Sequence, residues 1–208
     1  VERPAQVVNE LVDNSLAAGA TAVVNTVERG GFDRLVVEDN GSGIEEQDLS
    51  LALDRHATSK LRTKDDLSSI SSLGFRGEAL ASIGMVSRLQ ISSKPEGEHG
   101  ATIVMEDGVK SSVEPMGMAH GTRISVDHLF QNTPARLAFQ RRPETETARI
   151  VDVVVDHALA HPSCSFHLKT ERRTLLNVPA TDNMLDRLYD IMGAQATELV
   201  ALKRPPED

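Results

Sequence analysis

The sequence contains one cysteine, no long apolar run and no excess of positive charge. The single Cys164 excludes an internal disulfide and is typical of a protein in a reducing compartment. No run of 18 apolar residues is present, so no segment is predicted to span a membrane. No basic, apolar signal segment begins the chain, and we therefore expect a cytoplasmic location and no membrane partner.

The formal net charge of -9 argues against a protein that coats nucleic acid non-specifically. A local basic surface is still compatible with this charge, although most clusters of Lys and Arg are simply solvated. Three clusters are available, namely Lys60, Arg62 and Lys64; Arg136, Arg141 and Arg142; and Lys169, Arg172 and Arg173.

Length and composition suit one large domain, or one domain followed by part of a second. The chain has 208 residues, of which 39% are hydrophobic and 25% are charged, as in a globular protein with a buried core. Periodicity and turn residues predict alternating helices and strands. The predicted helices cover residues 4–18, residues 45–53 and a segment from near Gly77, and the predicted strands cover residues 22–28, 34–38, 89–93, 101–105, 111–115 and 122–126.

This order predicts an α+β fold, in which helices and a mostly antiparallel sheet form a two-layer sandwich. Asn132-Thr-Pro-Ala-Arg136 interrupts the pattern, and we place a domain boundary between residues 129 and 143. We expect one domain over residues 1–135 and the start of a second α/β domain over residues 136–208, which continues beyond this chain. Its predicted elements are helices 144–160 and 182–192 and strands 165–169, 174–178 and 199–202.

Four short segments in fixed order supply what an ATP site needs: Glu10-Leu-Val-Asp-Asn14, Asp39-Asn-Gly-Ser-Gly43, Ser72-Leu-Gly-Phe-Arg-Gly-Glu78 and Gly121-Thr122. Glu10 and Asn14 lie four residues apart on the first predicted helix, so their side chains leave the same edge. Glu10 is a candidate to orient and deprotonate a water molecule, and Asn14 offers an amide oxygen to Mg²⁺, which otherwise keeps waters and phosphate oxygens. Taken alone, such a pair is more often a solvated helix edge.

Asp39 lies in a glycine-rich turn directly after an apolar strand. Its carboxylate can accept a hydrogen bond from an exocyclic amine, which adenine carries where guanine has a carbonyl, so we expect selection of ATP over GTP. Gly41 and Gly43 permit close approach of the backbone to the base. An ordinary Asx turn is the alternative for this segment.

Gly74 and Gly77 flank Phe75 and Arg76 immediately before a predicted helix. Free backbone amides and the positive end of the helix dipole would converge there on phosphates. The preceding Thr58-Ser59-Lys60 adds two hydroxyls and an ammonium group. The pattern is neither a Walker loop nor the Rossmann fingerprint.

These segments resemble the motifs of the GHKL ATPases, and within them most closely those of MutL-type DNA mismatch repair proteins. The matching segments span Val1 to Arg136 and are jointly specific. They are Val1-Glu-Arg-Pro-Ala5, Asn9-Glu-Leu-Val-Asp-Asn-Ser-Leu16, Arg55-His-Ala-Thr-Ser-Lys60, Ser72-Leu-Gly-Phe-Arg-Gly-Glu-Ala-Leu80 and Asn132-Thr-Pro-Ala-Arg136.

The resemblance implies a GHKL ATPase fold with a second domain that is ribosomal S5 domain 2-like. It assigns Glu10 as catalytic base, Asn14 as Mg²⁺ ligand, Asp39 as adenine contact and Thr122 as supporting adenine contact. It also implies a lid at about residues 55–85. The lid would carry the remaining nucleotide-binding candidates, Thr58, Ser59, Lys60, Gly74, Phe75, Arg76, Gly77, Glu78, Ala79 and Leu80.

The activity that the resemblance implies is slow, Mg²⁺-dependent ATP hydrolysis coupled to dimerisation, with a second copy or a MutL paralogue as partner. ATP would act mainly as a conformational switch between mismatch recognition by a MutS-type protein and later repair steps on DNA. Two alternatives stay open at this point: another GHKL enzyme, such as a topoisomerase ATPase subunit, and a non-catalytic module for dimerisation or DNA binding. Ala17, which stands where the family usually has an acidic residue, keeps the second alternative open.

Overall fold

The fold begins with helix α1, which covers Pro4–Ala17 in a computed structural model that describes residues 1–54 and 79–198. Pro4 occupies the first turn, where a missing backbone N–H costs nothing, and Gly19 follows the helix at a φ of 76°. The buried stripe of the helix follows the 3.6-residue period and consists of Pro4, Ala5, Val7, Val8, Leu11, Val12 and Ser15.

In the described part of the chain, a sheet of nine strands forms the other layer, in the order β5-β4-β3-β7-β2-β1-β8-β9, with β6 paired to β4. Its pairings are antiparallel except for the parallel pairing of β1 with β8. The strands are β1 (Ala22–Glu28), β2 (Arg34–Asp39), β3 (Arg88–Lys94), β4 (Ala101–Glu106), β5 (Val109–Lys110), β6 (Glu114–Pro115), β7 (Gly121–Asp127), β8 (Ser165–Thr170) and β9 (Thr174–Val178).

Five further α-helices follow α1 in the described residues: α2 (Glu46–Leu49), α3 (Ala79–Gly84), α4 (Pro134–Ala138), α5 (Pro143–Ala160) and α6 (Met184–Met192). Helix α5 packs against both α1 and β8, so the two longest described helices lie side by side on the sheet. Apolar side chains that alternate along the strands fill the space beneath them, among them Val23, Leu35, Ile124 and Phe166. This arrangement confirms the predicted helix and sheet sandwich.

The structure differs from the expected division into two domains near residue 135. Strand β8 pairs in parallel with β1, and α5 packs on α1, so residues 143–178 extend the sheet and core of the first half. The physical reason is that the edge of β1 opposite β2 would otherwise leave its backbone groups unpaired. Among the described residues, therefore, no separate domain begins between residues 129 and 143.

Residues 111–115 do not form the single strand that the sequence analysis expects. Within this segment only β6 pairs with β4, and β5 ends at Lys110, because the Ser111 hydroxyl accepts from the Val104 N–H and donates to the Ser112 carbonyl, replacing part of the backbone ladder. The predicted helix at 45–53 is divided into α2 and a 3-10 turn at Leu51–Leu53. The predicted strand at 199–202 lies outside the described residues.

Helix α6 is attached to the sheet by a buried arginine. Arg187 donates from Nη2 to the carbonyls of Pro162, Cys164 and Pro179 at 2.7, 2.8 and 2.6 Å. Burial lowers the pKa of its guanidinium from the usual value, while nearby Asp190 opposes the shift. No helix within residues 1–54 and 79–198 has the length and apolar character that crossing a membrane requires.

Asn25 provides a test of the core. It lies in β1 between Val37 and Leu168, is 1% exposed, and neither of its side-chain amide atoms has a hydrogen-bond partner in the described structure. We expect Asn25→Leu to raise the free energy of unfolding by about 1–3 kcal/mol, since it removes an unpaired buried amide of similar shape. Urea denaturation measures this change.

The matched control is Asn177→Leu at an exposed position of β9, which should change the free energy of unfolding by less than about 0.5 kcal/mol. A destabilised Asn25→Leu protein would mean that the Asn25 amide has a partner, such as a buried water molecule.

Candidate functional site

Three neighbouring strands place hydroxyl and carboxylate groups side by side at one end of the sheet. Asp39, the last residue of β2, lies opposite Thr122 of β7, and Thr122 lies opposite Ser93 of β3. Residues that lie opposite one another on adjacent strands present their side chains on the same face of the sheet. Two residues further along the strands, Val37 and Ile91 belong to the core beneath the helices, so the polar row borders the helical layer.

The hydroxyls of Ser93 and Thr122 belong to one hydrogen-bond network. Ser93 Oγ accepts from the Ile44 N–H at 2.8 Å and lies 2.9 Å from Thr122 Oγ1 and 3.1 Å from the Gly121 carbonyl. Ser93 is 1% exposed and Thr122 is 7% exposed. The network fixes both hydroxyls, and it joins the segment after Gly43 to strands β3 and β7.

Among the residues that the structure describes, two groups donate to the half-buried Asp39 carboxylate. The Gly41 N–H donates to Oδ1 at 2.9 Å, and the Ser15 hydroxyl of helix α1 lies 2.7 Å from Oδ2. A carboxylate has about four lone-pair positions, so these two donors leave positions for further donors. Asp39 is therefore an oriented acceptor at the border between α1 and the sheet.

Backbone approaches closely at both glycines of the turn after Asp39. A Cβ on Gly41 would lie 2.9 Å from the Cβ and the carbonyl oxygen of Ala18, so a side chain has no room there. Gly43 has a φ of 77°, and a Cβ on it would lie 2.7 Å from the Lys94 carbonyl oxygen. Both positions therefore require glycine for packing within the protein, and their approach to a base stays a prediction.

Glu10 and Asn14 project from the exposed side of α1. A helix turns by about 100° per residue, which places Asn14 about 40° from Glu10, and Ser15 about 100° beyond Asn14. Glu10 is partly exposed, Asn14 is exposed, and neither side chain bonds to another residue in the described structure. Glu10 also borders an open groove of about 660 Å³ between α1 and α5, together with Arg3, Gln6, Arg149 and Asp152. Within residues 1–54 and 79–198, therefore, nothing occupies either side chain.

The edge of α1 beside Glu10 is held by His157 of α5. His157 Nε2 lies 3.1 Å from Asn9 Oδ1, and Nδ1 lies 3.9 Å from the Asp13 carboxylate, which also accepts from the Asn9 amide. Burial lowers the pKa of His157 from its ordinary value of 6.5, and the Asp13 charge opposes the shift. Since Asn9 Oδ1 is an acceptor, the proton of the neutral ring belongs on Nε2.

Several predicted site residues lie outside the described part of the chain: Thr58, Ser59, Lys60, Gly74, Phe75, Arg76, Gly77 and Glu78. Ala79 and Leu80 form the beginning of α3, and Leu80 packs against the core. Ala17 is the exposed last residue of α1. The structure thus brings together the candidates on α1, β2 and β7, and the functional roles of all candidates stay predictions.

Sequence reasoning missed Ser15 and Ser93, although a signal was available. Ser15 occupies a position of the apolar stripe of α1, and Ser93 continues the inward-facing alternation of Leu89 and Ile91 in β3. A hydroxyl at a core position needs a buried partner, because an unpaired one is costly. Each of these two serines should therefore have been expected beside a polar site.

The sequence from residue 2 to residue 124 matches the family described as "Histidine kinase-, DNA gyrase B-, and HSP90-like ATPase". This segment contains α1, the Asp39 turn and the Thr122 position, which are the elements of the site described above. The chain belongs to this ATPase family. The fold class and the enzyme class that the sequence analysis predicted are confirmed at this level.

Curated relatives confirm the resemblance to MutL-type proteins. The chain is 47% identical over 198 residues to the DNA mismatch repair protein MutL of Trichlorobacter lovleyi, covering 95% of this chain and 33% of that protein. It is 46% identical over 200 residues to MutL of Bradyrhizobium diazoefficiens, covering 94% and 33%. The chain thus spans about a third of the length of these relatives.

Solved structures share the fold. The "Aquifex aeolicus MutL ATPase domain complexed with ADP" superposes with a TM-score of 0.74 at 29% identity, covering 92% of this chain and 69% of that chain. The "N terminal domain of a DNA repair protein" has a TM-score of 0.80 at 22% identity, covering 95% and 59%. The second likeness concerns the fold alone.

The lowered pKa of His157 gives a pH prediction for the packing of α5 on α1. In the unfolded chain His157 takes up a proton near pH 6.5, whereas in the folded protein it does so only at lower pH. The free energy of unfolding therefore keeps this contribution above about pH 6.5 and loses it as the pH falls below that value. Denaturation from pH 5 to 8 should show this decrease in the wild type and a smaller one in His157→Gln. The exposed His99→Gln variant, the control, should keep the wild-type slope. An unchanged slope in His157→Gln would contradict the assignment.

Proposed function

We propose that this chain binds ATP with Mg²⁺ beside α1 and hydrolyses it slowly. The observation that carries the proposal is the placement of Asp39, whose carboxylate is oriented by Ser15 and Gly41 next to Thr122, on the α1 side of the sheet. Helix α1 thereby contacts the Asp39 carboxylate, the proposed acceptor for the base, and also carries Glu10 and Asn14. Neither of these two side chains has a partner in the described structure.

Adenine suits the Asp39 end of the site. The remaining lone pairs of the carboxylate accept from the exocyclic amine of adenine, whereas guanine presents a carbonyl oxygen that repels them. Because Gly41 has no side chain, its backbone can lie close to Ala18 at the edge of the proposed pocket. Thr122, which is fixed by Ser93, supplies a second polar group beside Asp39.

Asn14 fits a Mg²⁺ ligand that shares the ion with phosphate oxygens. It is an exposed side-chain amide, and the residues that the structure describes include no group of three or more His, Cys, Asp or Glu that could hold a metal ion by themselves. Mg²⁺ commonly keeps several waters and takes one or two protein ligands beside phosphates, where it offsets negative charge. Asn14 is therefore sufficient as the protein ligand.

Glu10 is suited by its position to act as the general base. It lies one helical turn before Asn14 on the same edge of α1, so its carboxylate can hold a water molecule near the metal-bound phosphates and accept the proton of that water. Its partly exposed position beside the α1/α5 groove gives solvent access to this carboxylate. Phosphoryl transfer depends mainly on such positioning and on charge stabilisation.

The relatives suggest the context of this activity. The curated relatives are named as DNA mismatch repair proteins, and the similar Aquifex aeolicus MutL ATPase domain is complexed with ADP. We propose that the protein uses ATP as a switch for dimerisation with a second copy or a MutL paralogue. Through this switch it would link a MutS-type mismatch recognition protein to repair on DNA, in the cytoplasm.

Removal of the Asp39 carboxylate tests the adenine pocket. We expect Asp39→Asn to weaken ATP binding by about 1–3 kcal/mol, the effect of a lost buried hydrogen-bond partner, and we expect GTP not to compete with ATP on the wild type. Calorimetry with Mg²⁺ present measures both. Glu38→Gln, a partly exposed neighbour in β2, is the control and should bind ATP normally. If the wild type fails to bind ATP, a DNA-binding or interaction module becomes the better account.

Glu10→Gln separates binding from hydrolysis. The amide can still hold a water molecule but cannot accept its proton, so we expect ATP affinity to change little and single-turnover hydrolysis to slow by about 10²–10⁴-fold. The exposed Glu46→Gln variant of α2 should hydrolyse ATP like the wild type. Equal rates for Glu10→Gln and wild type would remove Glu10 from the chemistry.

A further inference from the structure

Ser15 stands out because it is a buried polar residue of α1 that contacts Asp39, and the proposed function assigns it no part in the choice of nucleotide. It is 3% exposed and lies in the stripe that otherwise consists of apolar side chains packed on the sheet. Its hydroxyl lies 2.7 Å from Asp39 Oδ2 and 3.1 Å from the Leu11 carbonyl oxygen. A serine hydroxyl has one proton, so it can donate to only one of these acceptors at a time.

The carboxylate is the stronger of the two acceptors. Hydrogen bonds to an ionised group are shorter and about twice as strong as neutral ones, and the 2.7 Å contact is the shorter of the two. The Leu11 carbonyl already belongs to the helix, where a serine proton adds little. The hydroxyl proton of Ser15 is therefore expected on Asp39.

The Ser15 hydroxyl determines which lone pairs of the Asp39 carboxylate remain available. Gly41 holds Oδ1 from the turn, and Ser15 holds Oδ2 from the helix, so the carboxylate is restrained at both oxygens and cannot rotate freely about its terminal bond. An acceptor that is restrained in this way offers its unused lone pairs in one direction. Without Ser15, the carboxylate would keep only its bond to a backbone N–H within its own turn.

We propose that Ser15 is a positioning residue that holds the Asp39 carboxylate for the exocyclic amine of the base, and so sets the preference for adenine nucleotides. The inference rests on the proposed ATP site. Ser15 also follows Asn14 directly in sequence, so the bond to Asp39 fixes the rotation of the same helix turn that carries the metal ligand. Base recognition and metal binding thereby share one helical turn.

The test compares two nucleotides that differ at the group concerned. Inosine triphosphate has a carbonyl where ATP has the exocyclic amine and a proton on the adjacent ring nitrogen, and the two molecules are otherwise identical. We expect Ser15→Ala to weaken ATP binding about tenfold and inosine triphosphate binding less than about twofold, because loss of one hydrogen bond acts only through the amine contact. Calorimetry with Mg²⁺ gives both affinities.

Ser87 offers a matched control. It is 5% exposed and donates to the carbonyl four residues earlier, that of Ile83, at 2.8 Å, which is the same local bond that Ser15 makes with Leu11. Ser87→Ala should lose similar stability and keep the wild-type ratio of ATP to inosine triphosphate affinity. Ser15→Cys retains the side-chain volume with a much weaker donor, and it should change the ratio as Ser15→Ala does.

Combination with Asp39→Asn completes the test. If Ser15 acts through Asp39, Ser15→Ala added to Asp39→Asn should cause less than about a twofold further loss of ATP affinity, since the two effects are coupled. An unchanged nucleotide ratio in Ser15→Ala, or full additivity in the double variant, overturns the proposal. If instead the wild type binds neither nucleotide, the proposed ATP site itself fails, which is a separate outcome.

Discussion

The carboxylate of Asp39 must be satisfied where a strand ends against a helix. A charge at such a border is costly unless donors surround it, and here one donor comes from the turn and one from helix α1. This requirement sets the rotation of α1 on the sheet. Once Ser15 and the apolar stripe face the sheet, the 3.6-residue period turns Asn14 and Glu10 outward, so this contact also fixes where these two side chains lie.

Local patterns were sufficient for the elements that carry the site. Pro4 and Gly19 delimit α1, and valine-rich segments define β1 and β2 to within one residue. The position of β8 could not be predicted from periodicity, because a strand pattern does not specify its neighbour. The parallel pairing of β1 with β8 is settled by the core beneath α5 and by the unpaired edge of β1, and this is why the expected domain division differed.

The site was predictable where side chains have unusual chemistry for their place in a turn, as for Asp39 and Gly41. It was less predictable where ordinary residues acquire a role from packing. Ser93 and Ser15 are common residues, and only the strand register and the placement of α1 on the sheet reveal that their hydroxyls meet Thr122 and Asp39. Hydrogen bonds between distant segments are properties of tertiary structure, and single-sequence reasoning has no access to them.

The parallel pairing of β1 with β8 also has a consequence for biosynthesis. The Ser165 hydroxyl bonds to the Thr21 carbonyl across a separation of 144 residues. At a synthesis rate of about 5–20 residues per second, the edge of β1 waits on the order of ten seconds for its partner to leave the ribosome. During that interval the nascent sheet has an open edge that other chains can pair with, so the cell has reason to shield it with a chaperone.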